Sequence, residues 1–260
     1  MNVNVSDLNR FEYCPRIIYL TSVLKAEPKL TMEQVRGLVG HYVRKELSFR
    51  QARVLGKVKS PGELDGLLHR ELDSLISDVP FIYREKWSGE CDRILPEVRV
   101  EVYKELAFLK DKLGFLLEEL GFDKALRTVT PWKTEYSIRS EVLGLNGRVD
   151  KVMREEHLIP IEIKTGSPSE GVWEGDRIQV CAYCMLLEER FKENVPSGFV
   201  EYTRVQEKRP VMASEKLRRS VIYTRDEVHE IMEGKVPDVC PHGNGRKCES
   251  CSLKDVCYAT

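Results

Sequence analysis

The sequence predicts a mixed α/β fold, a sheet with helices packed against it. Three observations lead there. Strand-type segments gather after Thr134 in the order strand, strand, strand, helix, strand. Helical periodicity fills most of the chain before that point. The length, 260 residues and 30.0 kDa, suits one large domain or one domain carrying an insertion.

Taken in order, Ser6-Asp7-Leu8-Asn9-Arg10-Phe11 opens like a capped helical turn, which Cys14-Pro15 interrupts. Thr31 caps a helix over 32–55, with Gln34 at the capping-box position. Its apolar residues Val35, Leu38, Val39, Tyr42, Val43, Leu47 and Val54 keep a roughly helical period, and His41 lies among them. Ser60-Pro61-Gly62 breaks the chain. Residues 62–125 read as mostly helical, first through Leu64, Leu68, Leu72 and Leu75, then over 98–120. This helical insertion or subdomain carries no catalytic motif, and Cys91 is expected to be an ordinary, partly buried cysteine.

Strands are expected over 135–141, 145–153 and Leu158–Lys164. Pro160 lacks a backbone donor, so its nitrogen should not face a paired neighbour in mid-sheet. A helix is expected over 176–191, then strands over 198–205 and 220–224 joined by a basic connection, then a short helix over 226–233. The chain thus divides into N-terminal helices (1–59), a helical insertion (60–130), a sheet-bearing core (131–236) and a cysteine-rich tail (237–260).

Charged residues make up 32% of the chain, yet the formal net charge is -1. Bulk charge therefore gives no argument for nucleic acid, and any such binding must use a local patch. Between Glu201 and Arg225 the cations Arg204, Lys208, Arg209, Lys216, Arg218, Arg219 and Arg225 outnumber the acids by four. That stretch reads either as a track for a single-stranded backbone, with Arg218 and Arg219 as the contacts, or as a solvated hairpin. The start has no basic segment followed by an apolar core, and no apolar run reaches the length of a membrane span. The expected setting is soluble and cytoplasmic, without a membrane partner, where thiols stay reduced. Eight cysteines then need a reason other than disulfides.

The most informative stretch is 147–166, GRVDKVMREEHLIPIEIKTG. Two apolar runs flank the polar break Arg154-Glu155-Glu156-His157, the pattern of a β-hairpin. Alternation puts Glu162 and Lys164 on one face with Ile163 pointing away. A turn centred near Glu156 sets Asp150 opposite Glu162. Two carboxylates and an ammonium meeting at one spot suit Mg²⁺ or Mn²⁺ and a water aimed at a phosphodiester. E-x-K alone is also common in plain surface hairpins, so the rest of the chain has to decide.

The tail holds Cys248-x₂-Cys251-x₅-Cys257, a compact thiolate cluster that indicates a metal. Three thiolates need a fourth ligand. Cys240 supplies it locally, as in a zinc knuckle or iron–sulfur site, or Cys14 supplies it from the other end of the chain. Cys181-x₂-Cys184 lies in an apolar helical segment without turn residues, and both thiols read as small core side chains.

Phe11-Glu-Tyr-Cys14-Pro-Arg16, Gly40-His41, Gly147-Arg-Val-Asp150, Glu162-Ile-Lys164-Thr-Gly166, Gln179-x₃-Tyr183 and the cysteine tail occur in that order. The ordered set resembles the RecB-like branch of the PD-(D/E)xK superfamily that carries an iron–sulfur cluster, the family of the fourth core CRISPR-associated protein. The resemblance covers 6–47 and 134–257 and leaves the stretch 60–125 unaccounted for. It implies a restriction-endonuclease-like sheet flanked by helices, with an iron–sulfur clasp joining the chain ends. It implies a metal-dependent exonuclease acting 5′ to 3′ on single-stranded DNA, trimming spacer precursors beside the CRISPR integrase. Asp150 and Glu162 are then metal ligands, helped by His41 and the Ile163 carbonyl, and Lys164 orients the attacking water. Gln179 and Tyr183, four apart on one helix face, position DNA. Cys14, Cys248, Cys251 and Cys257 hold the cluster, 4Fe–4S in preference to 2Fe–2S, although the extra Cys240 departs from the pattern. Two other readings stand beside this one. One is an adaptor for DNA or the integrase with a vestigial site, and the other is a zinc-binding protein without nuclease activity.

Overall fold

The computed structural model describes residues 2–168 and 170–260. In chain order the elements are β1 (Val3–Asn4), α1 (Val5–Tyr13), α2 (Pro15–Ile18), α3 (Met32–Phe49), α4 (Gln51–Leu55), α5 (Leu64–Ile82) and α6 (Gly89–Val129). There follow β2 (Lys133–Ser140), β3 (Leu145–Arg154), β4 (Leu158–Lys164), α7 (Glu174–Phe191), β5 (Ser197–Tyr202), β6 (Glu207–Met212) and α8 (Glu215–Met232), with α9 (Gly245–Glu249) and α10 (Lys254–Ala259) in the tail.

One mixed sheet runs β1-β3-β4-β5-β6, with β2 on the other edge of β3. β1 lies parallel to β3 at Leu145–Asn146, and β4 lies antiparallel to it from Lys151 onward, so the two share one edge of β3 and leave a gap between them. β5 adds parallel to β4, and β6 antiparallel to β5.

Two apolar cores result. In the sheet core Val149, Leu158, Val200 and Tyr202 pack against Val180, Cys184 and Leu187 of α7, with Leu8 of α1 and Val221 of α8. α7 is buried almost all round from Gly175 to Leu187, as a central helix must be. Cys181 and Cys184 are buried within it as expected, and burial pushes both thiols above their ordinary range. In the helical core Val39 and Val43 of α3 meet Leu72 and Leu75 of α5 and Val98, Leu109 and Leu113 of α6. Cys91 lies fully inside this core, deeper than expected.

Local signals were reliable where side chains cap or periods run long. Thr31 and Gln34 form the reciprocal capping box. The turn of the β3–β4 hairpin centres on Glu156, because Arg154 pairs with Leu158. Pro160 pairs with Val152, whose carbonyl accepts from Trp132 on the far edge, so this pair carries no β3–β4 hydrogen bond. Gly198 lets β5 close on that proline, since a Cβ there would lie 2.6 Å from the Pro160 carbonyl oxygen and 2.6 Å from Val180.

The region after Tyr202 differs from expectation. The strand expected over 198–205 ends at Tyr202, and the basic connection itself forms β6. Residues 220–224, read as a strand, lie inside α8, and the short helix expected over 226–233 is the end of that same helix. Ser214 caps α8 by accepting from the Leu217 amide, and Leu217, Val221, Thr224, Val228 and Ile231 form its buried stripe. The β-branched run Ser220-Val-Ile-Tyr-Thr224 favours a strand locally, and the longer 3.6-residue period overrides it.

Candidate active site and cysteine cluster

The β3 ladder falters at one place. β2 pairs with β3 through Tyr136↔Val149 on one side and Thr134↔Lys151 on the other, and Glu135↔Asp150 drops out between them. Glu135 sits at φ +50°, a left-handed conformation that costs a non-glycine residue about 1 kcal/mol or more. Alternation slips across this break. Gly147 and Val149 face α7, yet Lys151 reaches Ser48 of α3 and Glu201 of β5, while Val152 rejoins the α7 core. Asp150 lies at the slip. Its Oδ2 accepts the Ile163 amide at 2.7 Å, a side chain standing in for a ladder bond where β3 and β4 part. Amide and carbonyl of one strand residue share an edge, so the Ile163 carbonyl lies on the same side of β4 as Asp150.

Glu162, Asp150 and Lys164 therefore converge at the fork. Lys164 Nζ lies 3.3 Å from Glu162 Oε1 and 2.8 Å from Asp176 Oδ1, and donates to Gln179 Oε1 at 3.2 Å. Burial and then the Asp150 charge raise the Glu162 carboxyl well above its ordinary range. Burial opposes the Lys164 charge, but Glu162 and Asp176 outweigh it and hold the ammonium above its usual pKa. Two crowded carboxylates of this kind call for a cation, and their hard oxygens fit Mg²⁺ or Mn²⁺. His41 comes from α3, where its Nδ1 lies 3.2 Å from Thr165 Oγ1. Burial, then Lys45, lowers its pKa to about 4, which leaves a neutral imidazole able to ligate a metal at neutral pH.

Gln179 and Tyr183 share a face of α7, as their spacing implies, and both are buried. Gln179 donates to the Tyr183 hydroxyl at 3.2 Å, and that hydroxyl donates to the Arg148 carbonyl at 3.1 Å. Asn9 of α1 donates to Asp176 at 2.7 Å and to Gln179 at 3.0 Å, tying the N-terminal helix to the lysine. Lys45 of α3 pairs with both Asp150 and Glu135.

Four of these residues escaped sequence reasoning. Lys45 follows His41 by four and Asp176 precedes Gln179 by three, spacings that share a helix face and were legible. Asn9 and Glu135 gave no local signal. The arginine pair stands apart. Arg218 of α8 pairs with Glu188 of α7, nine residues past Gln179 and so about 13 Å farther along that helix, and also donates to the Ala213 carbonyl. Neither Arg218 nor its neighbour Arg219 is brought to the carboxylates. Of that basic stretch it is Arg204 that reaches the site's edge, donating to the Thr165 carbonyl at 2.8 Å.

The cysteines meet at the C-terminal end of α1. Cys14, Cys240, His242, Cys248, Cys251 and Cys257 line one cavity. Burial, and the neighbouring Cys257 and Cys251, raise the Cys14 thiol. Cys240 Sγ lies 3.7 Å from Cys248 Sγ, and Cys240, His242 and Cys248 place ligand atoms within 4.8 Å of one another. Around them Tyr13 and Lys247 exchange hydrogen bonds at 3.2 and 3.0 Å, and Arg16 donates to the Pro237 carbonyl at 2.6 Å. The thiolate donor set fits an iron–sulfur or zinc centre, and the tail is fastened to the N-terminal helices.

A family model described as the PD-(D/E)XK nuclease superfamily matches residues 2–258. This chain belongs to the PD-(D/E)XK nuclease superfamily. The CRISPR-associated exonuclease Cas4/endonuclease Cas1 fusion of Leptospira interrogans is 32% identical over 125 residues, covering 45% of this chain and 23% of its own. The corresponding fusion of Myxococcus xanthus is 34% identical over 130 residues, covering 47% and 22%. The CRISPR-associated exonuclease Cas4 of Rhodospirillum rubrum is 32% identical over 140 residues, covering 52% and 40%. These likenesses bear out the RecB-like resemblance read from the motifs. The chain spans less than half the length of each of these relatives. Among the described residues no helix is long and apolar enough to cross a membrane.

Proposed function

We propose that this PD-(D/E)XK protein is a metal-dependent exonuclease acting on single-stranded DNA, 5′ to 3′, in CRISPR adaptation beside the integrase. The observation that carries the reading is the convergence of Asp150, Glu162 and Lys164 at the β3–β4 fork, with His41 arriving from α3. Asp150, Glu162, His41 and the Ile163 carbonyl would hold Mg²⁺ or Mn²⁺, which supplies Lewis acidity toward the phosphate and a more acidic water. Lys164, braced by Asp176 and Gln179, orients that water and balances charge on the phosphodiester. Gln179 and Tyr183 fix the lysine and the β3 backbone, and so the strand's approach. The relatives named as exonuclease Cas4/endonuclease Cas1 fusions support the choice of partner.

For the tail, the reading is one iron–sulfur cluster, 4Fe–4S, held by Cys14, Cys248, Cys251 and Cys257 as a structural clasp. The approach of Cys240, His242 and Cys248 favours a second reading, a mononuclear zinc site. Colour separates the two, since the cluster absorbs visible light and zinc does not. Cys14→Ser bleaches the clasp, and the zinc reading instead makes Cys240→Ser the damaging change.

The deciding experiment is an anaerobic assay on single-stranded DNA labelled at either end, with Mn²⁺. Stepwise loss from the 5′ end, abolished in Lys164→Ala, is the expected result. Undiminished cleavage by Lys164→Ala overturns the catalytic assignment, and binding without cleavage by the wild type leaves the adaptor reading.

A further inference from the structure

The Lys45 ammonium lies against Asp150, the carboxylate assigned above to the metal. Its Nζ lies 2.5 Å from Asp150 Oδ1 and 2.5 Å from Glu135 Oε1, and the side chain is only 13% exposed. The other Asp150 oxygen is already taken by the Ile163 amide. Both oxygens of the carboxylate are thus engaged by the chain itself. Lys45 sits one turn after His41 on α3, so both side chains come from one rigid helix face.

We propose that Lys45 is the site's resident counter-cation, competing with the divalent ion for Asp150 and thereby setting the metal affinity. An ammonium and a divalent ion cannot share one buried carboxylate oxygen without strong repulsion. Metal entry must therefore displace Lys45 from Asp150. Glu135 is the carboxylate that can keep it, since it already holds the same Nζ from the far side and is steadied by Arg148. The slipped backbone at Glu135 thereby gains a use, because it aims a carboxylate at a lysine that has to move a short way and remain paired.

The inference rests on the reading of Asp150 as a metal ligand, and the test separates the two. Mn²⁺ binding to the full-length chain is measured by titration calorimetry for wild type, Asp150→Asn, Lys45→Met and Lys45→Arg. Lys45→Met should bind at least about fivefold tighter, the lower end of ordinary coupling between two sites. Lys45→Arg keeps the charge and should stay near wild type. Unchanged or weaker binding by Lys45→Met, with Asp150→Asn losing the site, overturns the role of Lys45 alone. Equal binding by wild type and Asp150→Asn overturns the metal site itself.

Discussion

Two buried carboxylates lie on neighbouring strands of one sheet and have opposite electrostatic fates. Glu162 on β4 and Glu201 on β5 are 9% and 0% exposed. Glu201 accepts from Ser48 at 2.9 Å and from Lys151 at 2.9 Å, with Lys112 3.9 Å away. Burial raises its pKa, but Lys151, Lys112 and Lys208 more than reverse that and bring it to about 2. Glu162 shares its pocket with Asp150, and its pKa moves the other way. Burial is common to both, so what differs is the balance of neighbouring charge, lysines around Glu201 and the Asp150 carboxylate beside Glu162. Glu201 has a surplus and is locked as a structural ion joining the sheet to α3 and α6. Glu162 has a deficit, which the proposed function fills with a metal. A buried acid is a functional candidate when its neighbours leave it short of positive charge.

The largest expected effect breaks the pair apart by activity. Glu162→Gln should lower cleavage at least about 10²–10³-fold, the scale on which removing one charge-stabilising group acts. Its melting temperature should hold or rise, because an unfavourable buried charge is gone. A folded Glu162→Gln protein with wild-type cleavage would place the site elsewhere.

Glu201→Gln should do the reverse. It leaves Lys151 and Lys112 uncompensated, and breaking a buried pair costs about 3–5 kcal/mol, read by urea denaturation. Cleavage per folded molecule should change little. A loss of activity at full stability would merge the two clusters into one functional unit.

Acid sharpens the contrast. The folded pKa of Glu201, about 2, lies below its ordinary 4.5, so its stabilisation is complete above 4.5 and vanishes as pH falls through about 2. The stability gap between wild type and Glu201→Gln should therefore narrow by about 3 kcal/mol between those limits. Glu162 has the opposite sign. Its folded pKa is raised, so the metal-free protein should lose stability as pH climbs above 4.5, and Glu162→Gln should remove that slope. Parallel pH profiles for the two variants would contradict the comparison.

The smallest effect concerns the arginines outside both clusters. Arg218→Ala breaks the partly exposed pair with Glu188 and should cost about 1 kcal/mol or less. If Arg218 and Arg219 also touch DNA, the double alanine variant flattens the logarithmic salt dependence of single-strand binding by roughly 0.7 per lost phosphate contact. An unchanged slope assigns them to packing α8 on α7.

Much of this was legible in the residues alone, for reasons that are local. Glu162 and Lys164 share a face because strands alternate, and Gln179 and Tyr183 because helices repeat every 3.6 residues; the turn at Glu156 set Asp150 opposite Glu162, but the β3–β4 ladder ends at Lys151–Ile161 and Asp150 bonds the Ile163 amide instead. The capping box at Thr31 and the buried thiols of α7 are local in the same sense. The misplaced strand over 220–224 shows the limit, since a β-branched run yields to a stripe extending from Leu217 to Ile231. Tertiary structure alone decided the rest. It brought Lys45 onto Asp150 and His41 to Thr165, and set Lys151 against Glu201 across a ladder that slips at Glu135. These are meetings of residues tens to hundreds of positions apart. No period or propensity encodes them, because each is settled by which helix covers which face of the sheet and by how buried charges find their partners there.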